Sequence, residues 1–251
     1  MLEACRLIRD LFTASKAFRA QRWIAEHALV EDRYGPVRVV AGLDVAYKRG
    51  SHGEDVGVGV AVALSYPSLR PIACEAVARV VCVPYVPGLL AFREMAVLAP
   101  ALARLLRRVS VDLVVVDGHG VAHPRRAGIA THVGVVFDLP SIGVAKRRLY
   151  GREKTVGGAS LLVDDEGRPI ATIIERGRSR IYVSPGHRVS VRSSARLVKT
   201  MLRRGRLPEP TRVADSLTKS LKRTIADISC CDPVSLRTPQ CGNSSRSIFS
   251  S

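Results

Sequence analysis

The sequence predicts a mixed α/β fold whose sheet begins as a three-strand antiparallel meander, continues as parallel βαβ, and is flanked by helices. Alternating apolar residues mark three consecutive strands with short connections. The pattern then switches to helix and strand in turn, and the run Leu113-Val114-Val115-Val116 is continuously apolar, as a strand buried on both faces requires. With 251 residues, 47% hydrophobic and 24% charged, the chain can bury a full core. Residues 1–227 read as one domain. Residues 228–251, rich in Ser, Cys, Pro and Gly without a sustained period, read as a flexible tail.

Ala4, Leu7, Ile8, Leu11 and Phe12 recur at helical spacing, so amphipathic helices are expected over 3–12 and 15–29. Glu3, Arg6, Arg9 and Asp10 interrupt the place where a signal peptide would be unbroken and apolar. No stretch reaches the ~18 apolar residues of a membrane span, so no membrane partner and a cytoplasmic location are expected. Strands follow at 37–47, where Val37, Val39, Ala41, Leu43 and Val45 alternate, at 56–64, and at 72–83. A helix over 88–108 comes next, and Pro100 marks where it would break. The strand 113–116 stops at Asp117, a helix spans 128–137, and a short strand spans 141–145. A hairpin (159–163 and 170–175), a strand near Ile181, and helices over 191–204 and 211–227 complete the chain.

Thirty-nine Lys and Arg against 22 Asp and Glu give a net charge of +17, which makes a polyanion such as nucleic acid the natural partner. Residues 191–223 concentrate ten basic and two acidic side chains, suited to a phosphate backbone or simply to a solvated helix face. The chain is expected to act as a monomer. The six cysteines are too sparse for a disulfide framework and form no C-x-x-C pair. Cys5, Cys74 and Cys82 are expected as small core residues.

Asp44 lies on the first strand, out of phase with Ala41, Leu43 and Val45, so it points to the opposite face. A carboxylate there is costly unless paired, hydrogen-bonded or bound to a metal. Asp117 ends another buried strand, where open α/β sheets place ligands, and Glu94 on the intervening helix can reach the same spot. Three converging acids would repel one another without a divalent cation, which fits an oxygen-ligand Mg²⁺ site. Each also has a plainer reading: Asp44 as a salt-bridge residue, Asp117 as a loop acid before Gly118, Glu94 as a surface partner of an arginine. An acid on the first strand and another ending the fourth is the layout of ribonuclease H-like nucleases, by analogy of fold.

Five stretches are more specific: Gly42-Leu43-Asp44-Val45-Ala46-Tyr47, the block from Pro84 to Glu94, the block from Asp117 to Arg126, Ile142-Gly143-Val144-Ala145-Lys146, and Gly186-His187-Arg188. Together, and in this order, they closely resemble endonuclease V, from about residue 36 to the block ending at Asp215. The resemblance implies a metal-dependent DNA repair enzyme that recognises deoxyinosine and cuts the second phosphodiester bond on its 3′ side, leaving 3′-hydroxyl and 5′-phosphate ends. It implies Asp44, Asp117 and Glu94 as Mg²⁺ ligands, with Mn²⁺ as a substitute, and Lys146 beside the scissile phosphate. Tyr85, with Pro84 beside it, becomes a strand wedge, and His123 and His187 become nucleic-acid contacts. Gly88, Leu90, Gly118, Gly143 and Ala145 become the walls of a pocket for a flipped base. Inosine-containing RNA is the alternative substrate, and a non-catalytic nucleic-acid binder the alternative class.

Overall fold

The computed structural model describes residues 2–225, apart from 52, 178 and 204, together with 234–236. Helices α1 (Leu2–Leu11) and α2 (Ala14–His27) come first, and the Thr13 hydroxyl caps α2 by accepting a hydrogen bond from the Lys16 amide. Strands β1 (Val39–Arg49), β2 (Asp55–Ser65) and β3 (Pro71–Val80) form the meander. Then come α3 (Leu90–Leu106), β4 (Leu113–Asp117), α4 (Ile129–Phe137) and β5 (Ser141–Ala145). Four further strands follow: β6 (Arg152–Val156), β7 (Ala159–Val163), β8 (Pro169–Arg176) and β9 (Ser179–His187). Helices α5 (Val191–Met201) and α6 (Glu209–Thr224) and strand β10 (Val234–Leu236) close the described chain.

The ten strands form one sheet in the order β10-β3-β2-β1-β4-β5-β9-β8-β7-β6. The centre, β1-β4-β5, is parallel, and every other neighbouring pair is antiparallel. One face buries Ala41, Leu43, Val114 and Val116 under α3 and α4; Leu98, Leu102 and Leu105 of α3 are fully buried there, at ~2 kcal/mol of transfer free energy each. The other face buries Val40, Val60 and Val115 under Leu197 and Val198 of α5 and Val213, Ala214 and Leu217 of α6. Period-two alternation on β1 therefore sends Asp44 to the α6 face. Gly42 decides how close α6 comes, because a Cβ there would collide with the backbone of Pro210 in its first turn.

Several expectations need correction. Pro100 does not break α3, because the Ala96 carbonyl that a proline four residues on leaves without its helical donor accepts a bond from the Arg79 guanidinium (3.4 Å). Cys5 and Cys82 are buried as expected, yet they form a disulfide joining α1 to the segment after β3, and Cys74 is also disulfide-bonded. Of the expected tail, only 234–236 are described, and they pair with β3 at the sheet edge; the rest of 228–251 lies outside the described residues.

Candidate active site

The register Leu43↔Val116 between parallel β1 and β4 leaves Asp44 and Asp117 side by side, one residue further along. Helix α6, close against β1 at Gly42, brings in a third carboxylate, Asp215. One oxygen from each of Asp44, Asp117 and Asp215 lies within 4.8 Å of the other two. β5 runs parallel beside β4 with Val144 opposite Asp117, so Lys146, just beyond its end, reaches the same cluster. Its Nζ lies 2.5 Å from Asp117 Oδ2 and 3.8 Å from Asp215 Oδ1. Lys219, one turn along α6, bonds Asp215 from the solvent side at 2.6 Å.

The electrostatics are those of an acid cluster short of positive charge. Burial, joined by the charges of Asp117 and Asp215, raises Asp44 to about 7, against a hydrogen bond donated by the Thr218 hydroxyl and the charge of Lys146. Glu94 is raised to about 8, chiefly by burial and further by Asp44 and Asp117. Burial alone would lower the Lys146 ammonium, but its bond to Asp117 and the charges of Asp117, Asp215 and Asp44 outweigh it and hold its pKa above the usual lysine value. Three carboxylates converging on one point, one of them 8% exposed, form a hard, all-oxygen donor set suited to a divalent cation.

A cavity of about 350 Å³ opens beside this cluster; Asp117 belongs to both, and Glu94 lines the cavity. Gly88, Leu90, Gly118, His119, His123 and Leu149 are among its walls. Tyr85 stands at the rim, 67% exposed, on the loop between β3 and α3. The walls are largely apolar or glycine, and the volume falls within the range of ligand sites.

The family model described as Endonuclease V matches residues 21–216. The chain belongs to the Endonuclease V family. Endonuclease V of Aeropyrum pernix is 46% identical over 221 residues, covering 88% of this chain and 84% of that protein. The crystal structure of Endonuclease V from Streptomyces avermitilis is 34% identical with a TM-score of 0.74, covering 85% of this chain and 95% of that one. Endonuclease V of Ciona intestinalis, in complex with a 24mer DNA containing an inosine followed by a ribo-adenosine, is 26% identical with a TM-score of 0.73, covering 83% and 97%.

Within this Endonuclease V fold, the residues singled out from sequence divide into three groups. Asp44, Asp117 and Lys146 converge, with Glu94 at the cavity side of the cluster. Gly88, Leu90 and Gly118 line the cavity with Tyr85 and His123, whereas Gly143, Ala145 and Pro84 are not among its walls. Gly143 lies mid-strand, where a Cβ would strike the backbone of residues 118–120, so it supports the pocket floor from behind. His187 pairs with Ser141 at the opposite end of β5 from Lys146, ~15 Å away along the strand. It is buried, its Nδ1 accepting from the Leu29 amide at 3.2 Å and its Nε2 meeting Asp138 at 3.3 Å, so its bonds are structural.

The third acid of the trio is Asp215 rather than Glu94. From sequence it stands only as the end of a motif within a basic helix. Its signal was position, since it lies between Ala214 and Thr218 on the buried face of α6. His123 is buried as well: its Nδ1 accepts from the Arg125 amide (3.1 Å), which leaves its Nε2–H to donate to the Gly88 carbonyl (3.1 Å). Burial and the Arg125 charge push it down to about 4, so it is neutral at pH 7.

Proposed function

We propose that this protein is a Mg²⁺-dependent repair endonuclease that accepts deoxyinosine in DNA and hydrolyses the second phosphodiester bond on its 3′ side, with Mn²⁺ as a substitute metal. The observation that carries it is the junction of an acid trio with a cavity of base-binding size through Asp117, with Glu94 on the cavity wall beside it. A bound divalent ion, held by Asp44, Asp117 and Asp215, would supply Lewis-acid polarisation of the phosphate and a more acidic water. The chain's own groups do the rest. Asp44 and Asp117 orient the attacking water, whose oxygen bonds to phosphorus as the P–O3′ bond breaks. The proton ends on the 3′ oxygen, giving a 3′-hydroxyl and a 5′-phosphate. Lys146, fully charged at neutral pH, offsets charge growing on the phosphoryl oxygens.

Tyr85 at the rim fills the gap left when the base leaves the stack, and the cavity behind it receives that base. Gly88 and Gly118, lacking side chains, let the base edge come close to the cavity wall, and hypoxanthine differs from adenine by a carbonyl in place of an amino group. The Ciona relative's complex with inosine-containing DNA supports this substrate class.

The test compares labelled duplexes with one deoxyinosine or with adenine, and an inosine-containing RNA, each with Mg²⁺ or EDTA. The expected result is Mg²⁺-dependent cutting one nucleotide beyond the deoxyinosine, absent with Asp215→Asn. Preferential cutting of the RNA would move the substrate to RNA, and binding without cutting in any lane would overturn the reading.

A further inference from the structure

We infer that Gln21, on helix α2 outside the acid cluster, is a positioning residue that fixes the loop carrying Tyr85 by clamping the Gly88 carbonyl; the inference rests on the base-pocket reading above. Gln21 is fully buried, between Ala17 and Ile24 on the inward face of an otherwise largely exposed helix. An amide is an expensive choice where an aliphatic side chain would pack, unless both its ends are bonded. Both are. Its Nε2 donates to the Gly88 carbonyl at 2.8 Å, and its Oε1 accepts from Arg125 Nε.

Arg125 then donates through Nη2 to the same carbonyl at 2.9 Å, and His123 Nε2 reaches it at 3.1 Å. Three donors from two separate segments therefore converge on one backbone oxygen. The Arg125 guanidinium is in turn stacked over Phe18 of α2, 4.4 Å from the ring centroid. Gly88 needs this residue type twice over: its φ is +78°, in the left-handed region, and a Cβ would lie 2.7 Å from Arg125 Nη2.

The clamped residue lies three positions after Tyr85 and lines the cavity. Within the loop, the Leu89 amide bonds the Val86 carbonyl at 2.9 Å, so fixing Gly88 fixes the turn between Tyr85 and α3. Gln21 touches neither the acid trio nor the cavity, so its effect runs through Gly88 and through Arg125, which bonds the same carbonyl. It positions the base-receiving wall and leaves the hydrolytic groups as they are.

Two variants separate the role. Gln21→Glu keeps a partner for Arg125 but loses the donor to Gly88, while Gln21→Leu loses both. Amide hydrogen exchange over residues 84–90, measured without nucleic acid, should quicken about tenfold in Gln21→Glu, as expected for losing one hydrogen bond. With deoxyinosine duplex, KM should rise about tenfold, with single-turnover kcat at saturation and Mn²⁺ affinity unchanged. Wild-type exchange and KM in both variants would overturn the inference, as would a parallel fall of kcat, Mn²⁺ affinity and Tm in Gln21→Glu. If the wild-type enzyme fails to prefer deoxyinosine while exchange still quickens, the clamp stands and the substrate reading falls.

Discussion

Replacing Asp44 with asparagine should stabilise the metal-free protein above neutral pH. Burial and the neighbouring carboxylates raise Asp44 from an ordinary 3.8 to about 7. At about 1.4 kcal/mol for each pH unit, keeping it ionised at pH 8 costs the fold ~4 kcal/mol, of which ~2 kcal/mol is recoverable once relaxation and the remaining acids are allowed for. The sign follows from the raised value. Below about pH 4 the side chain is protonated folded or unfolded and costs nothing; between 4 and 7 only the unfolded chain ionises, so stability falls as pH rises, and above 7 the loss is complete. Asparagine removes that loss while its amide oxygen still accepts from Thr218. Calorimetry in EDTA should give Asp44→Asn a Tm ~4–8 °C above wild type at pH 8 and little difference at pH 4. A gain of equal size at both pH values, or a loss at pH 8, would show that ionised Asp44, buried among other carboxylates, does not destabilise the fold.

Other perturbations separate stability from chemistry. Tyr85→Ala should leave Tm unchanged, because the ring is exposed, yet lower deoxyinosine cutting in duplex DNA ~5–150-fold through lost stacking, read by initial rates. Gly42→Val should push α6 off β1 and cost ~1–3 kcal/mol of overpacking by chemical denaturation, with Mn²⁺ affinity falling too as Asp215 moves away. Gly143→Ala should lower Tm and cutting together, because its Cβ strikes the backbone of residues 118–120. Removing the Cys5–Cys82 bridge, which spans 77 residues, with Cys5→Ser and Cys82→Ser should cost up to ~4 kcal/mol of unfolding free energy and leave kcat intact.

Elements with one or two buried faces were legible in the sequence. Alternation fixed β1 and β2, unbroken apolarity fixed β4, and the phase of β1 placed Asp44 opposite Leu43. β6 was not legible, since Arg152–Val156 is exposed throughout and is a strand only because it pairs with β7. No local pattern announces that pairing. The Cys5–Cys82 bridge was hidden for a related reason, because it depends on where α1 docks rather than on spacing. In the site, Asp44 within β1 and Asp117 at the end of β4 could be found from the order of elements, but Asp215 sits on a helix whose charge pattern suggests a phosphate-binding face. His123 and His187 read as polar contacts for a ligand; in the fold each also bonds a backbone group, the Gly88 carbonyl and the Leu29 amide, and His123 lines the cavity as well.

Whether Asp44, Asp117 and Asp215 form one divalent-cation site is decided by Mn²⁺ binding followed by electron paramagnetic resonance. Wild-type protein should quench the free-ion signal with high affinity, and Asp215→Asn should lose at least tenfold of that affinity while retaining its Tm in EDTA. Equal affinity in the two proteins would contradict the account.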